Sequence, residues 1–287
     1  MKIAIVVDSS TGLTPKQVEG KGWFFLPLSI DLNGTQRLDG TDITPFELKT
    51  ALEDPNNNLK TGTTPYGLMQ EQLQNLSEKY DKVVVFPISS GLSSQANYLK
   101  ELKIDNLYVV DSTKITWLII MDLLRFERNL KDGMDFEQSF AQMNFEYEGR
   151  ILVVPYSTES IVKSGRLSPA AAAVARLFKI YPVIKLEKGK LEKEGTGRNF
   201  EKTLVKHFGE LAESFKDDEY LPVVLHSYNS NIDSIVSELQ KHTNKKIFVD
   251  ILPNVVNIHL GLQGVAIGFV KCDKQVEVEL LKIYENK

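Results

Sequence analysis

At 287 residues the chain exceeds what one hydrophobic core usually covers, so two domains are expected. A composition of 42% hydrophobic and 25% charged residues excludes a disordered or collagen-like chain, and a net charge of -4 argues against a nucleic-acid binder, which carries a basic excess. The single cysteine, Cys272, excludes an internal disulfide and a cysteine metal cluster, and it points to a reducing, cytoplasmic setting.

The first apolar run, Ile3 to Val7, stops at Asp8, too short for a signal-peptide core. No later run approaches the roughly 20 apolar residues that span a bilayer. Thr14-Pro15 marks a helix start with threonine as N-cap and proline at the first position, and Thr44-Pro-Phe-Glu47 marks another with a capping box. Trp23 to Leu32 reads as one strand, with Asn33-Gly34 turning into a second short one. Helical spacing of Leu68, Met69, Leu73 and Leu76 predicts a helix over 65–80, and further helices are expected over 93–102 and 115–129. Strands alternating with helices imply βαβ units and a parallel sheet, assigned to an N-terminal domain over residues 1–150. Over residues 151–287 the pattern changes to α+β. It comprises an Ala-rich helix from Pro169, a hairpin turning at Glu187 to Lys190, a helix over 199–215, a strand over 221–225 and a helix over 232–241. Strands over 247–252 and 265–270 complete it.

Four apolar runs lead straight into hydroxyl-rich loops: Ile3 to Val7 into Asp8-Ser-Ser-Thr11, Val83 to Phe86 into Ser89 to Ser94, Leu107 to Val110 into Asp111-Ser-Thr113, and Ile151 to Val154 into Ser157 to Ser160. Continuous apolar runs read as strands of a parallel sheet covered on both faces, and such sheets bind ligands beyond the carboxyl ends of their strands. Hydroxyls rather than basic residues in these loops suit a weakly charged anion better than a polyphosphate. Asp8 and Asp111 read as caps of their loops rather than catalytic carboxylates. Ser89 and Ser90 suit either a ligand or the backbone of a tight turn. The sequence holds no nucleophile elbow, Walker loop, zinc-protease helix or dinucleotide fingerprint, and its four histidines are scattered.

Several segments, in chain order, resemble the DegV family of bacterial fatty-acid-binding proteins. They are Ile5-Val-Val-Asp-Ser-Ser-Thr-Gly-Leu13, Leu26-Pro-Leu28, Lys60-Thr-Gly-Thr-Thr-Pro65, Ile88-Ser-Ser-Gly-Leu-Ser-Ser94, Val109-Val-Asp-Ser112, Val162-Lys-Ser-Gly-Arg-Leu-Ser168, Lys179 to Ile184 and Ile258-His-Leu-Gly261. The resemblance implies a two-domain α/β fold, an N-terminal parallel sheet flanked by helices and a C-terminal mixed sheet with helices that closes the lipid site. It implies one long-chain fatty acid held between the domains, with its carboxylate on hydroxyls, and no cofactor. Carried over, the ligand positions are Thr63 and Ser93, with Thr61, Thr64 and Ser94 as neighbours. Gly62 stands where the family usually has a threonine, which leaves both Thr61 and Thr63 as candidates. The loop after Leu92 is shortened, and Gly261-Leu262 replaces the family's Gly-Pro.

The same resemblance places His259 near the head group, beside its plain reading as a structural histidine. Arg166 and Arg198 become contacts for a partner fatty acid kinase, to which the chain would carry its lipid. Transient contact with a membrane surface is compatible with that role. Phe86, Ile115, Trp117, Leu118, Ile119 and Phe178 would line the acyl tunnel, although such spacing equally describes core. The rival reading is a Ser-dependent acyl hydrolase using Ser93 and His259.

Overall fold

The computed structural model describes residues 1–175 and 180–285, so Phe178 lies outside the described residues. The chain forms two compact units. The first holds 1–146 together with Pro253–Val255 and the segment from Lys282, and the second holds Tyr147–Leu252 and Val256–Leu281.

In the first unit the elements run β1 (Ile3–Asp8), a 3-10 turn at Ser9–Thr11, α1 (Pro15–Gly20), β2 (Phe24–Leu26), β3 (Ser29–Leu32), β4 (Thr35–Leu38), α2 (Pro45–Glu53), β5 (Leu59–Gly62), α3 (Tyr66–Ser77), β6 (Lys82–Phe86), α4 (Gln95–Glu101), β7 (Leu107–Val109), α5 (Trp117–Lys131) and α6 (Phe136–Gln142). The main sheet has the order β2-β1-β6-β7, with every pairing parallel. From β1 the chain goes first to one side, into β2, and later to the other, into β6. The switch point of the sheet therefore falls at the carboxyl ends of β1 and β6, where open α/β sheets bind ligands. Met69, Leu73 and Leu76 lie on one face of α3 and pack with Ala4, Val6 and Val83 of the sheet. The expected capping box forms at Thr44 with Glu47, and the N-cap Thr14 makes a second one with Gln17.

The expected strand over 23–32 is two strands in two sheets. β2 joins the parallel sheet, whereas β3 pairs antiparallel with β4 and β5 in a separate three-stranded sheet. Pro27 separates them because it has no N–H to continue a ladder, and the next amide, Leu28 N–H, donates to Ser9 Oγ at 3.2 Å instead. β5 and α6 lie in stretches that the sequence pattern did not mark as regular structure. α5 starts at Trp117 rather than 115, because Thr116 adopts φ 59° and breaks the helical run. Phe86, Trp117, Leu118 and Ile119 are fully buried core side chains, and Phe86 meets Phe126 edge to face at 5.7 Å.

The second unit contains β8 (Gly149–Val154), α7 (Thr158–Lys163), α8 (Pro169–Ala175), β9 (Tyr181–Glu187), β10 (Lys190–Gly197), α9 (Phe200–Ser214), β11 (Tyr220–His226), α10 (Ile232–Gln240), β12 (Phe248–Ile251) and β13 (Val265–Lys271). It also contains most of α11 (Asn254–Leu260) and α12 (Lys274–Glu285). Its mixed sheet has the order β10-β9-β8-β13-β11-β12. β8 is antiparallel to both neighbours, against the parallel reading of its apolar run. A central strand covered on both faces needs apolar side chains in either direction, so the run reports burial and not polarity. Phe200, Leu204, Phe208 and Leu211 form the buried stripe of α9, packed with Leu152, Val224 and Ile267 of the sheet. No helix of the described residues is long and apolar enough to cross a membrane.

Candidate functional site

The switch point is built around Asp8. One carboxylate oxygen accepts from Ser10 N–H at 3.0 Å and from the Ser10 hydroxyl, and the other accepts from Ile88 N–H at 2.7 Å. Asp8 thus ties the loop after β1 to the loop after β6. Ser9 extends the tie by accepting from Leu28 N–H and bonding to Asp39, which also accepts from Asn254 Nδ2 at 2.9 Å. Ser29 Oγ then donates to Thr63 O at 2.9 Å. Burial pushes the Asp8 and Asp39 carboxyls up to about 6, against the pull of their hydrogen bonds, and the charge of Asp8 raises Asp39 further.

Two hydroxyl-bearing segments meet in this unit. Thr61 lies within β5 opposite Ile30, Gly62 lies opposite Ser29, and Thr63 follows the strand end. A Cβ on Gly62 would sit 2.5 Å from Ser29 Oγ, which gives a physical reason for glycine here. The half-buried Thr63 hydroxyl has no hydrogen-bond partner among the described residues. Thr64 is buried and joined twice to Gln95: its N–H donates to Gln95 Oε1 at 3.0 Å, and its Oγ1 accepts from Gln95 Nε2 at 2.8 Å.

The 89–94 segment is backed by the chain after β7. Ser89 N–H donates to Lys114 O at 2.8 Å and Ser90 N–H to Ser112 O at 3.1 Å. Leu92 and Ser93 N–H both turn back to Ser89 O. The Ser93 hydroxyl accepts from Gln95 N–H at 3.2 Å, and Ser94 occupies the N-cap position of α4 with no side-chain cap bond. The expected helix start at Ser93 is therefore a hydroxyl turn, and the helix begins at Gln95. The buried cation of this region, Lys114, lies 2.5 Å from Asp122 Oδ2 and also donates to the carbonyls of Met143 and Phe145. Its charge is committed internally, so the exposed face of the junction offers hydroxyl donors.

The remaining candidates belong to the second unit. Ser157 caps α7 by accepting from Glu159 N–H. Arg166 is half-buried after α7, and its guanidinium donates to Ser164 O. His259 lies in the last turn of α11, where burial, then the nearby Arg166 charge, lower its pKa to about 4. It is neutral at neutral pH. Gly261 follows with φ 79°, and a Cβ there would approach Ser160 Oγ to 3.0 Å, so the serine loop, Arg166 and His259 share one neighbourhood. Arg198 is exposed just past β10, and no hydrogen bond or ion pair links it to Arg166 or His259 among the described residues. Ser29, Asp39, Gln95 and Asn254 were not singled out as site residues from sequence. Gln95 carried a visible signal beside Ser93-Ser94, whereas Asp39 and Asn254 are 215 positions apart and carried none.

A family model described as an uncharacterised protein of the DegV family matches residues 2–272. A DegV domain-containing protein of Mycoplasmopsis pulmonis is 39% identical over 285 residues, covering 96% of this chain and 97% of that protein. A solved structure described as a fatty acid binding DegV family protein from Streptococcus agalactiae superposes with a TM-score of 0.82 at 23% identity, over 95% of this chain and 100% of that one. A stearic acid-binding protein from Eubacterium ventriosum gives 0.80 at 22% identity, over 96% and 99%.

Proposed function

The chain belongs to the DegV family, and we propose that it is a non-enzymatic carrier that holds one long-chain fatty acid by its carboxylate. In this reading the Thr63 and Ser93 hydroxyls donate to the carboxylate. Thr61, Thr64 and Ser94 surround them, and the neutral His259 lies toward the head group. The carrier works in the cytoplasm and delivers its lipid to a partner fatty acid kinase, which Arg166 and Arg198 contact. The carrying observation is the donor character of the junction. The Thr63 hydroxyl has no partner among the described residues, and the Ser93 oxygen already accepts from Gln95 N–H, so each has a proton to give. The descriptions of the two structural neighbours as binding fatty acid and stearic acid support the ligand class.

A carboxylate among neutral donors receives charge-assisted bonds worth roughly 1.5–3 kcal/mol each. The tail supplies most of the affinity: about fifteen methylenes at roughly 0.8 kcal/mol give ~12 kcal/mol before the cost of association. The test is denaturing extraction of the purified protein and mass spectrometry of released lipid. About one fatty acid per chain is expected, falling in Thr63→Ala and Ser93→Ala while the fold survives. A protein that carries no lipid and takes none up when offered it ends the reading.

The hydrolase reading needs a base on Ser93. A His259 with a pKa near 4 is a weak base at neutral pH. Turnover of acyl thioesters abolished by Ser93→Ala but not by Thr63→Ala would establish the hydrolase instead.

A further inference from the structure

Gln95 opens α4 with 0% exposure, and its side chain is spent entirely on Thr64, itself 1% exposed. Thr64 N–H can only donate, so the end of the amide that faces it is oxygen. The other end is then NH2, which can also only donate, and it points at Thr64 Oγ1. Thr64 Oγ1 is therefore an acceptor toward Gln95, and its own proton is left to give. The backbone N–H of Gln95 does the same to Ser93 Oγ. One residue sets the direction of two hydroxyls, on two separate loops. Because Thr64 and Gln95 are closed to bulk solvent, water does not compete for that direction.

A cluster whose hydroxyls accept from Gln95 and keep their own protons to give suits an acceptor-only group. A carboxylate is one; an alcohol head group brings a proton of its own and finds no acceptor for it. We propose that Gln95 is the specificity-determining positioning residue of the clamp: its neutral side-chain amide holds the Thr64 hydroxyl as a donor, its backbone N–H does so for Ser93, and the residue thereby selects carboxylates over uncharged head groups. This inference rests on the carrier reading of the same junction. Glutamate in place of Gln95 keeps the shape but reverses the device. Both of its oxygens accept, so the Thr64 hydroxyl turns to donate inward, and a negative charge stands beside the carboxylate position.

The experiment measures binding of palmitate and of the alcohol of the same chain length to the full chain, with thermal unfolding alongside. The unmodified protein should favour palmitate. Gln95→Glu should lose about tenfold or more in palmitate affinity while alcohol affinity holds or rises; its buried charge lowers the melting temperature, so the ratio of the two affinities is the readout. Gln95→Ala, which removes the clip without adding charge, should lose less palmitate affinity than Gln95→Glu. An unchanged palmitate-to-alcohol ratio in Gln95→Glu, including an equal loss of both, overturns the assignment and leaves the carrier reading standing. An unmodified protein that binds neither probe overturns the carrier reading itself.

Discussion

Replacing Asp8 by asparagine should change the pH dependence of stability in a direction opposite to that of most carboxylates. Asp8 is fully buried, and burial raises its pKa from the ordinary 3.8 to about 6 in the folded chain. The folded state therefore binds the proton more tightly than the unfolded state, and stability rises as pH falls through about 6 and levels off below 3.8. The full effect is about 3 kcal/mol, from about two pKa units at 1.36 kcal/mol each. Between about pH 7.5 and about pH 5, roughly half of it is realised. Asparagine removes this gain. It also offers one carbonyl oxygen where Asp8 uses two, so either Ser10 or Ile88 N–H loses its acceptor, at about 1–3 kcal/mol. Asp39 and Asp122 titrate in the same sense in both proteins and largely cancel in the difference, while loss of the Asp8 charge eases Asp39 slightly and adds to the trend. The assay is urea unfolding of both proteins at the two pH values. The advantage of the unmodified protein should widen by about 1 kcal/mol on acidification. A constant difference, or one that narrows, would refute a raised Asp8.

Asp122→Asn should cost about 3–5 kcal/mol, since it leaves the 2% exposed Lys114 ammonium without its counter-charge. Thermal unfolding should show most of that recovered by the apolar pair Lys114→Met with Asp122→Leu. Gly62→Ala should displace Ser29 Oγ from Thr63 O, a loss of about 1 kcal/mol in stability, and should reduce lipid retention measured by mass spectrometry. Gly149→Ala should be far worse, by more than about 3 kcal/mol in chemical unfolding. Gly149 has φ 133°, and an added Cβ would lie 2.1 Å from Phe269 O, a backbone atom that has no rotamer to escape into.

The parts of this molecule that were legible in the sequence are those written in local periodicity. The three parallel strands β1, β6 and β7, their hydroxyl loops, the helix starts at Thr14 and Thr44 and the apolar stripes of α3 and α9 all follow from spacing within a dozen residues. Strand direction was not legible at β8, because burial on both faces produces the same apolar run whichever way the neighbours point. The split at Pro27 was marked by a proline, but the sheet that β3 joins depends on β5, some 30 residues later. At the site, Thr63 and Ser93 could be named from motifs, whereas the bond network that orients them could not. Ser29 to Thr63, Gln95 to Thr64 and Asn254 to Asp39 are contacts across 34, 31 and 215 positions, fixed by the folded backbone rather than by any local pattern.

Two late segments belong to the first unit: Asn254 donates to Asp39, and Tyr284 OH donates to Thr11 O at 2.8 Å. During synthesis, at about 5–20 residues per second, Asp39 waits about 10–40 s for its amide partner. Over that interval the nascent unit carries its acid cluster without the group that completes it. A chain released before residue 254 has lost a structural part of its N-terminal unit as well as its tail, so premature termination late in the message should yield a protein defective at both ends.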